Sequence, residues 1–375
     1  MSKVFFKLCV FLFIIIIFTG CASDENGVPA VDSPGVSQDT AGSGGNGGSG
    51  ESGLTDPDDN ESQSGSPDDS EAGSQDGVGQ PGDSVFPDDN GFPVVYFSAE
   101  ISPESLVAIY NALGVEPFGN IAIKIHTGEP PNSNYLRPEL IGDLVRLIGG
   151  TLVETNTAGG RRASTAMHMQ VVKDHGFYDL APFDLLDAEG EVSIPISGGL
   201  ILDEVLVGVN VPNYDFYVVL SHFKGHASAG YGGALKNLSI GLASAPGKSL
   251  IHSGGERRTG YRGDQDRFLK GMAEASSGII DYFNGNFLYI NVMNRLSVDC
   301  DCMGNPAKPD MHDIGILASL DPVALDQACV DLVYSAPDGA SLIRRIESRN
   351  GIHTLEHAAA LGIGSREYIL VNIDG

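Results

Sequence analysis

Tryptophan is absent from the 375 residues, and aromatic side chains make up only 7%. That scarcity argues against a carbohydrate-stacking surface or an antibody-like paratope, both of which rely on aromatic area. Basic residues are also few: 22 Lys and Arg stand against 49 Asp and Glu, for a formal charge of −27. A surface this acidic repels phosphate backbones, so no nucleic-acid partner is expected. No apolar run reaches the roughly 20 residues that a bilayer-crossing helix needs. There is no internal repeat and no Asp-x-Asp-x-Asp-Gly calcium loop. The five cysteines do not form the C-x2-C-x2-C-x3-C run of a bacterial ferredoxin.

What is present divides the chain into three. Lys3 and Lys7 precede the apolar run Leu8 to Phe18, the pattern of an export signal. The run ends in Phe18-Thr19-Gly20-Cys21, which resembles the lipobox of bacterial lipoproteins, although Phe18 stands where that motif usually has Leu. Residues 1–21 are therefore read as a lipoprotein signal with Cys21 as the lipidated residue. The expected location is the extracytoplasmic face of the cell envelope, with the membrane as partner through the anchor; a plain secretory signal is the alternative. Residues 22–92 carry 16 acidic and no basic side chains, with 15 glycines. Such a segment buries too little apolar surface to offset the entropy of ordering, and its charge extends it, so it reads as a disordered acidic linker.

Residues 93–375 hold the remaining 33 acidic groups and 20 of the basic ones, enough chain for a sizeable core. Short apolar runs at Val94–Phe97, Ile121–Ile125, Leu152–Thr155, Phe216–Leu220, Phe287–Val292 and Ile314–Ala318 read as strands. Helical stretches fall at Pro103–Leu113, Pro138–Ile148, Ser164–Asp174, Asp266–Phe283 and Pro322–Tyr334. Ser102-Pro103 and Asp321-Pro322 each supply an N-cap residue followed by proline at the first helical position. This alternation predicts an α/β fold, a mostly parallel sheet layered with helices. Glu191–Ile196 and Val205–Val211 read instead as a small inserted antiparallel β element.

Ligands in such sheets bind beyond the carboxyl ends of the strands. Those ends carry His126, then Asn156 to Arg162, then Ser221-His222-Phe223-Lys224-Gly225-His226, and Asn294-Arg295. The stretch from Ser221 to His252 is densest. His222 and His226, four apart, can chelate one metal from a loop or helix turn. Gly230, Gly232 and Gly233 let backbone approach a ligand and turn N–H groups towards an anion. Lys236 follows in an apolar context where partial burial favours a base or nucleophile. Arg161 and Arg162 can hold a carboxylate or phosphate, or lie solvated in a loop. Asp299-Cys300-Asp301-Cys302 offers two thiols that either ligate a soft metal, close a strained disulfide or stay free. Cys329 reads as a small core residue, and His168 and His175 as surface or helix-end residues; His353 and His357, four apart, have no ligand types flanking them.

The runs His222–His226, Gly233-Ala-Leu-Lys236-Asn237-Leu238-x-x-Gly241 and Asp313 to Asp326 resemble the domain of unknown function family numbered 362, over roughly residues 94–334. Some members of that family carry an iron–sulfur module, whose cysteines this chain lacks, and the resemblance implies no established reaction. A more distant likeness is to the lactate racemase type of nickel-pincer enzymes. Those place a His, a lysine that holds the pincer, and a nickel-binding His in the order of His226, Lys236 and His252, with His126 matching another catalytic His. The Gly-Gly-Ala-Leu-Lys context of Lys236 is one residue longer than the pincer pattern. The likeness implies shared architecture.

The functional expectation is an enzyme-like site for a small anionic substrate, with a divalent transition metal as the possible cofactor. His126, His226 and Lys236 are the catalytic candidates, and His222, His226, His252, Cys300 and Cys302 the metal-ligating ones. Gly232, Gly233, Asn237, Arg161 and Arg162 are the candidates for holding the cofactor or ligand. The alternatives are a lipoprotein that binds a metal or small ligand without turnover, and a redox protein using Cys300 and Cys302.

Overall fold

The computed structural model describes residues 91–375. The expected signal, the lipidation site Cys21 and all but the last two residues of the expected linker lie outside the described residues. Among those described, no helix is long and apolar enough to cross a membrane.

The first half runs β1 (Val94–Ser98), α1 (Pro103–Ala112), β2 (Ile121–Lys124), α2 (Pro138–Ile148), β3 (Thr151–Glu154), α3 (Thr165–Asp174) and β4 (Phe183–Leu185). The inserted antiparallel pair follows as β5 (Glu191–Pro195) and β6 (Glu204–Gly208), with Ser193 opposite Leu206. Next come β7 (Phe216–His222) and a short hairpin, β8 (Lys224–His226) with β9 (Gly230–Gly232). The second half comprises α4 (Ala234–Leu242), α5 (Ala245–His252), α6 (Gln265–Tyr282), β10 (Phe287–Met293), β11 (Gly315–Ser319), α7 (Pro322–Ser335), α8 (Ala340–Ser348), α9 (His353–Ala360) and β12 (Ile369–Asn372).

Eight strands form one sheet in the order β12-β1-β11-β10-β7-β2-β3-β4. Every neighbouring pair is parallel except the two that involve β11, so a single strand is reversed. The strand order turns back between β2 and β7: from β2 the chain moves outward to β3 and β4, and from β7 it moves the other way to β10. That break opens a crevice beyond the carboxyl ends of β2 and β7, where open α/β sheets bind ligands.

Side chains alternate across the sheet. Phe216, Val218 and Leu220 pack with Leu106, Ile109, Ile141, Leu144 and Val172 from α1 to α3. Tyr217 and Val219 face the opposite layer, with Leu235, Leu238, Leu269, Met272, Leu325 and Cys329 from α4, α6 and α7. Ser102 caps α1 by accepting from the Ser105 N–H at 3.1 Å, and Asp321 caps α7 by accepting from Val323 and Ala324, both at 2.8 Å. Helix α4 has no such local cap, because Gly233 precedes it. Its first N–H groups, of Ala234 and Leu235, are taken instead by the buried Asp326 carboxylate on α7, at 2.7 and 3.0 Å.

Candidate functional site

A cavity of about 380 Å³ fills the crevice between β2 and β7. His126, Arg162, Lys224, His226, Lys236, Lys248 and His252 line it together with Glu154, Asn237, Tyr261 and Cys302. Strand ends deliver His126, Glu154, His222 and Lys224. The β8–β9 hairpin delivers His226, and the helices α4 and α5 deliver Lys236, Asn237, Lys248 and His252. Glycine makes the room. A Cβ on Gly232 would touch the Lys236 stem at 3.3 Å, and one on Gly241 would reach Lys124 Nζ at 2.8 Å.

Each cation around the cavity but one has a partner. Lys124, fully buried at the end of β2, donates to Ile125 O at 2.6 Å and Asn237 Oδ1 at 2.9 Å, with Glu154 at 3.8 Å. Arg162 pairs with Glu129 at 3.1 Å and Glu154 at 3.4 Å. Lys224 pairs with Asp301 at 3.1 Å. Lys248 donates to Thr155 Oγ1 and to Ala243 O at 2.7 Å. Burial lowers both Lys124 and Lys248 to about 8. Lys236 makes no hydrogen bond or ion pair with any described residue, and its ammonium faces the cavity.

The histidines differ in which nitrogen they leave free. His252 donates Nδ1–H to Lys248 O at 2.7 Å, so its Nε2 is a bare acceptor; the ring is stacked on Phe268. His226 shows the opposite tautomer: Nδ1 accepts the N–H groups of Ser228 and Ala229 at 3.1 and 2.9 Å, which places the proton on Nε2. His126 accepts from Gly128 N at 3.1 Å, and Arg162 Nη1 lies 3.3 Å from its Nε2. All three are held neutral. Burial pushes His252 to about 3, burial and Arg162 push His126 well down, and burial and Lys236 lower His226.

His222 is not available as a ligand. Its Nδ1 meets Asp301 Oδ2 at 2.8 Å and its Nε2 meets Asn294 O at 2.6 Å, so neither nitrogen turns a free lone pair to the cavity. The expected chelate of His222 with His226 therefore does not form: the chain turns into a hairpin between them. Burial alone would raise the Asp301 carboxyl, but His222 and Lys224 beside it hold it below the ordinary range.

His226, Cys300 and Cys302 do converge. One ligand-capable atom from each lies within 4.8 Å of the others, a group that could hold a metal ion. Both thiols are free; Cys300 is buried and Cys302 opens onto the cavity. Burial would raise Cys300, but the hydrogen bond from Cys302, the Lys236 charge and His226 bring it well below a free thiol, while that same hydrogen bond and burial push Cys302 up.

Gly232 and Gly233 line the cavity as expected of close-approach residues. Asn237 is a clamp: its Nδ2 donates to Lys124 O, Leu220 O and Ser221 Oγ, tying α4 to the ends of β2 and β7. Arg161 stands exposed and off the lining, and Arg162 is spent on its two glutamates, so neither arginine waits for an anion. His168 departs from its expected surface place. It is fully buried under the cavity floor, bonded to Thr127 Oγ1 at 2.8 Å and Asn156 Oδ1 at 3.3 Å. The sequence reading passed over Lys124, Glu154 and Lys248, and it named Lys224 and Asp301 within motifs without giving them a role. The available signal was a charged residue set inside an apolar strand run, as in Ile121-Ala-Ile-Lys-Ile125.

Compared with known proteins, residues 121–331 match the family model described as Domain of unknown function (DUF362). No curated protein matches. Among solved structures, the lactate racemase apoprotein from Thermoanaerobacterium thermosaccharolyticum is 18% identical, with 52% of this chain and 50% of that chain covered and a TM-score of 0.33. A protein from Thermotoga maritima is 10% identical, covering 69% of this chain and 59% of its own, with a TM-score of 0.36. The matches thus span half to three fifths of the length of those two structures.

Proposed function

We propose that this chain, which belongs to the DUF362 family of domains of unknown function, binds and acts on a small carboxylate-bearing molecule in the cavity at the β2–β7 switch point. The observation that carries this reading is Lys236, the one cavity cation that makes no hydrogen bond or ion pair with a described residue. A carboxylate seated on its ammonium would gain a charge-assisted hydrogen bond in a poorly solvated space. Two neutral histidines of opposite tautomer then flank the ligand. His252 Nε2 can accept a proton and His226 Nε2–H can return one, the division of labour that acid–base chemistry needs. A bound anion would also raise both imidazoles, because a nearby negative charge favours the protonated ring.

A metal-dependent version is favoured by the convergence of His226, Cys300 and Cys302. A divalent transition metal held there would polarise the carboxylate or a neighbouring carbonyl. The nickel-bearing pincer to which the order His226, Lys236 and His252 points would meet an unpartnered lysine and a bare imidazole nitrogen, and would supply a Lewis-acidic centre. The lipid anchor at Cys21 and the acidic spacer belong to the same proposal. They would hold the folded body outside the cytoplasmic membrane, clear of the surface.

The test is ligand-induced stabilisation of the full chain by pyruvate and malonate, with and without chelator. At a hundred times the dissociation constant, a ligand stabilises by about 2.7 kcal/mol. Lys236→Met should abolish this while leaving the unliganded unfolding midpoint within about 0.5 kcal/mol, as for a surface-like site. An undiminished response in Lys236→Met would refute the reading. A response lost only with chelator would select the metal-dependent version.

A further inference from the structure

We propose that Cys300 and Cys302 form a thiol–disulfide exchange centre that reduces small anionic disulfides entering the cavity. The anionic preference rests on the reading of Lys236 given above; the exchange itself does not.

The two sulfurs are held side by side by a loop that is pinned at the residue between them. Asp301 is clamped through its carboxylate by His222 at 2.8 Å and Lys224 at 3.1 Å, and its carbonyl accepts the Glu129 N–H at 2.8 Å. A turn closes behind it, with Met303 N donating to Cys300 O at 3.0 Å and Cys302 N to Cys300 Sγ at 3.2 Å. The sulfurs differ in access: Cys302 opens onto the cavity, and Cys300 is buried behind it. That is the arrangement of an attacking and a resolving thiol.

His226 directs the trio towards this chemistry. Its Nδ1 is saturated by two backbone N–H groups, so Nε2 keeps the proton and is bonded to Cys300. In the metal-free chain that nitrogen is a hydrogen-bond donor to the sulfur, and a metal would bind there only in place of its proton. The unpartnered Lys236 offers a seat for a carboxylate on the incoming disulfide.

The steps balance. Cys302 Sγ attacks one sulfur of the disulfide, and the proton of its thiol goes to the sulfur that departs. The S–S bond breaks and the first small thiol leaves. Cys300 Sγ then attacks Cys302 Sγ, which forms the Cys300–Cys302 bond and expels the second thiol. The two protons of the dithiol leave with the two product thiols. The chain loses two electrons and the small disulfide gains them.

The experiment uses the reduced, chelator-treated full chain with dithiodipropionate, hydroxyethyl disulfide or cystamine, read by released thiol and peptide mass. The expected result is two thiols released per chain and a Cys300–Cys302 cross-link. The dianionic disulfide should react about tenfold faster than the cationic one, as expected when a local charge concentrates an ion. Cys300→Ser should stop at a mixed disulfide on Cys302, and Lys236→Met should lose the anionic preference but still react with hydroxyethyl disulfide. Absence of the cross-link with all three reagents would overturn the exchange, as would a Cys300→Ser variant that captures no small thiol. An anionic preference unchanged in Lys236→Met would leave the exchange standing and overturn the carboxylate seat.

Discussion

Replacing Gly233 by alanine should break the interlock that sets α4, and with it the frame of the cavity. A Cβ at this position would stand 2.3 Å from Asp326 Oδ1 and 2.8 Å from its Cγ, inside any real contact. Asp326 has nowhere to retreat, because Leu325, Ala328 and Cys329 around it on α7 are fully buried. The carboxylate must therefore swing off the Ala234 and Leu235 N–H groups that it holds. Each buried donor left unmatched costs about 1–3 kcal/mol, and overpacking costs a similar amount. A loss of about 3–5 kcal/mol follows, a large part of the roughly 5–15 kcal/mol that stabilises a domain. Urea unfolding followed by circular dichroism reads this directly, tryptophan fluorescence being unavailable to a chain without tryptophan. Two neighbours calibrate it. Gly159→Ala meets nothing within 4 Å and should be close to neutral. Gly232→Ala meets only the flexible stems of Lys236 and Lys224, so it should cost about 1 kcal/mol or less yet weaken carboxylate binding. If Gly233→Ala unfolds within about 1 kcal/mol of Gly159→Ala, Asp326 is not what holds α4.

Acid should destabilise the fold earlier than carboxylate protonation alone would. Burial takes His168 from 6.5 to about 3, so below pH 6.5 the unfolded chain binds a proton that the folded chain refuses. Stability then falls by up to about 1.4 kcal/mol per pH unit between pH 6.5 and 3, and His168→Gln should flatten that limb in urea midpoints measured at pH 7.5 and 5. Asp301→Asn should cost about 3–5 kcal/mol, because it strands the buried Lys224 and His222 that share its carboxylate. A smaller loss, within about 1 kcal/mol in the same assay, would mean that solvent or a shifted loop replaces the carboxylate.

Most strands and helices α1, α2, α3, α6 and α7 could be read because their signals are local, whereas β4, β8 and β9, of three residues each, were too short to stand out, and β12 passed unread. Apolar runs of the right length, Ser102-Pro103 and Asp321-Pro322 lie within a few residues of the structure they specify. Helix α4 was not legible for the converse reason. Its cap is Asp326, 92 positions further along, and its own preceding residue is a glycine with no side chain to signal a start. Helix α5 did carry a local sign, Ser244 accepting from Gly247 N, within a stretch read for its reactive residues rather than for its elements. The site divides in the same way. His126, His226, Lys236 and His252 were visible as reactive residues after strand ends, and the cavity gathers all four. The partners were not visible, since pairs such as His222–Asp301 and Lys124–Asn237 span 79 and 113 positions. Sequence order shows which residues are reactive; which nitrogen or oxygen each has left to offer depends on partners that only the fold supplies.

That distinction explains how a strongly acidic body can hold a cationic cavity. Five of the 20 basic residues in 93–375, namely Lys124, Arg162, Lys224, Lys236 and Lys248, are drawn inward around one crevice. The acidic excess is left mostly to the outer surface. Burying a charge is tolerated only when it is paired, and Glu129, Glu154 and Asp301 supply that pairing for Arg162 and Lys224 and part of it for Lys124. Neutral oxygens complete it for Lys124 and serve Lys248. These four cations are therefore framework: they set the local field and hold the histidines neutral, but their hydrogen bonds are already made. Lys236 is different because α4 carries it to the rim of the same field with neither a carboxylate nor a neutral acceptor bonded to it among the described residues. The site is thus short of one negative group, at one atom, and a bound carboxylate is the simplest molecule that completes it.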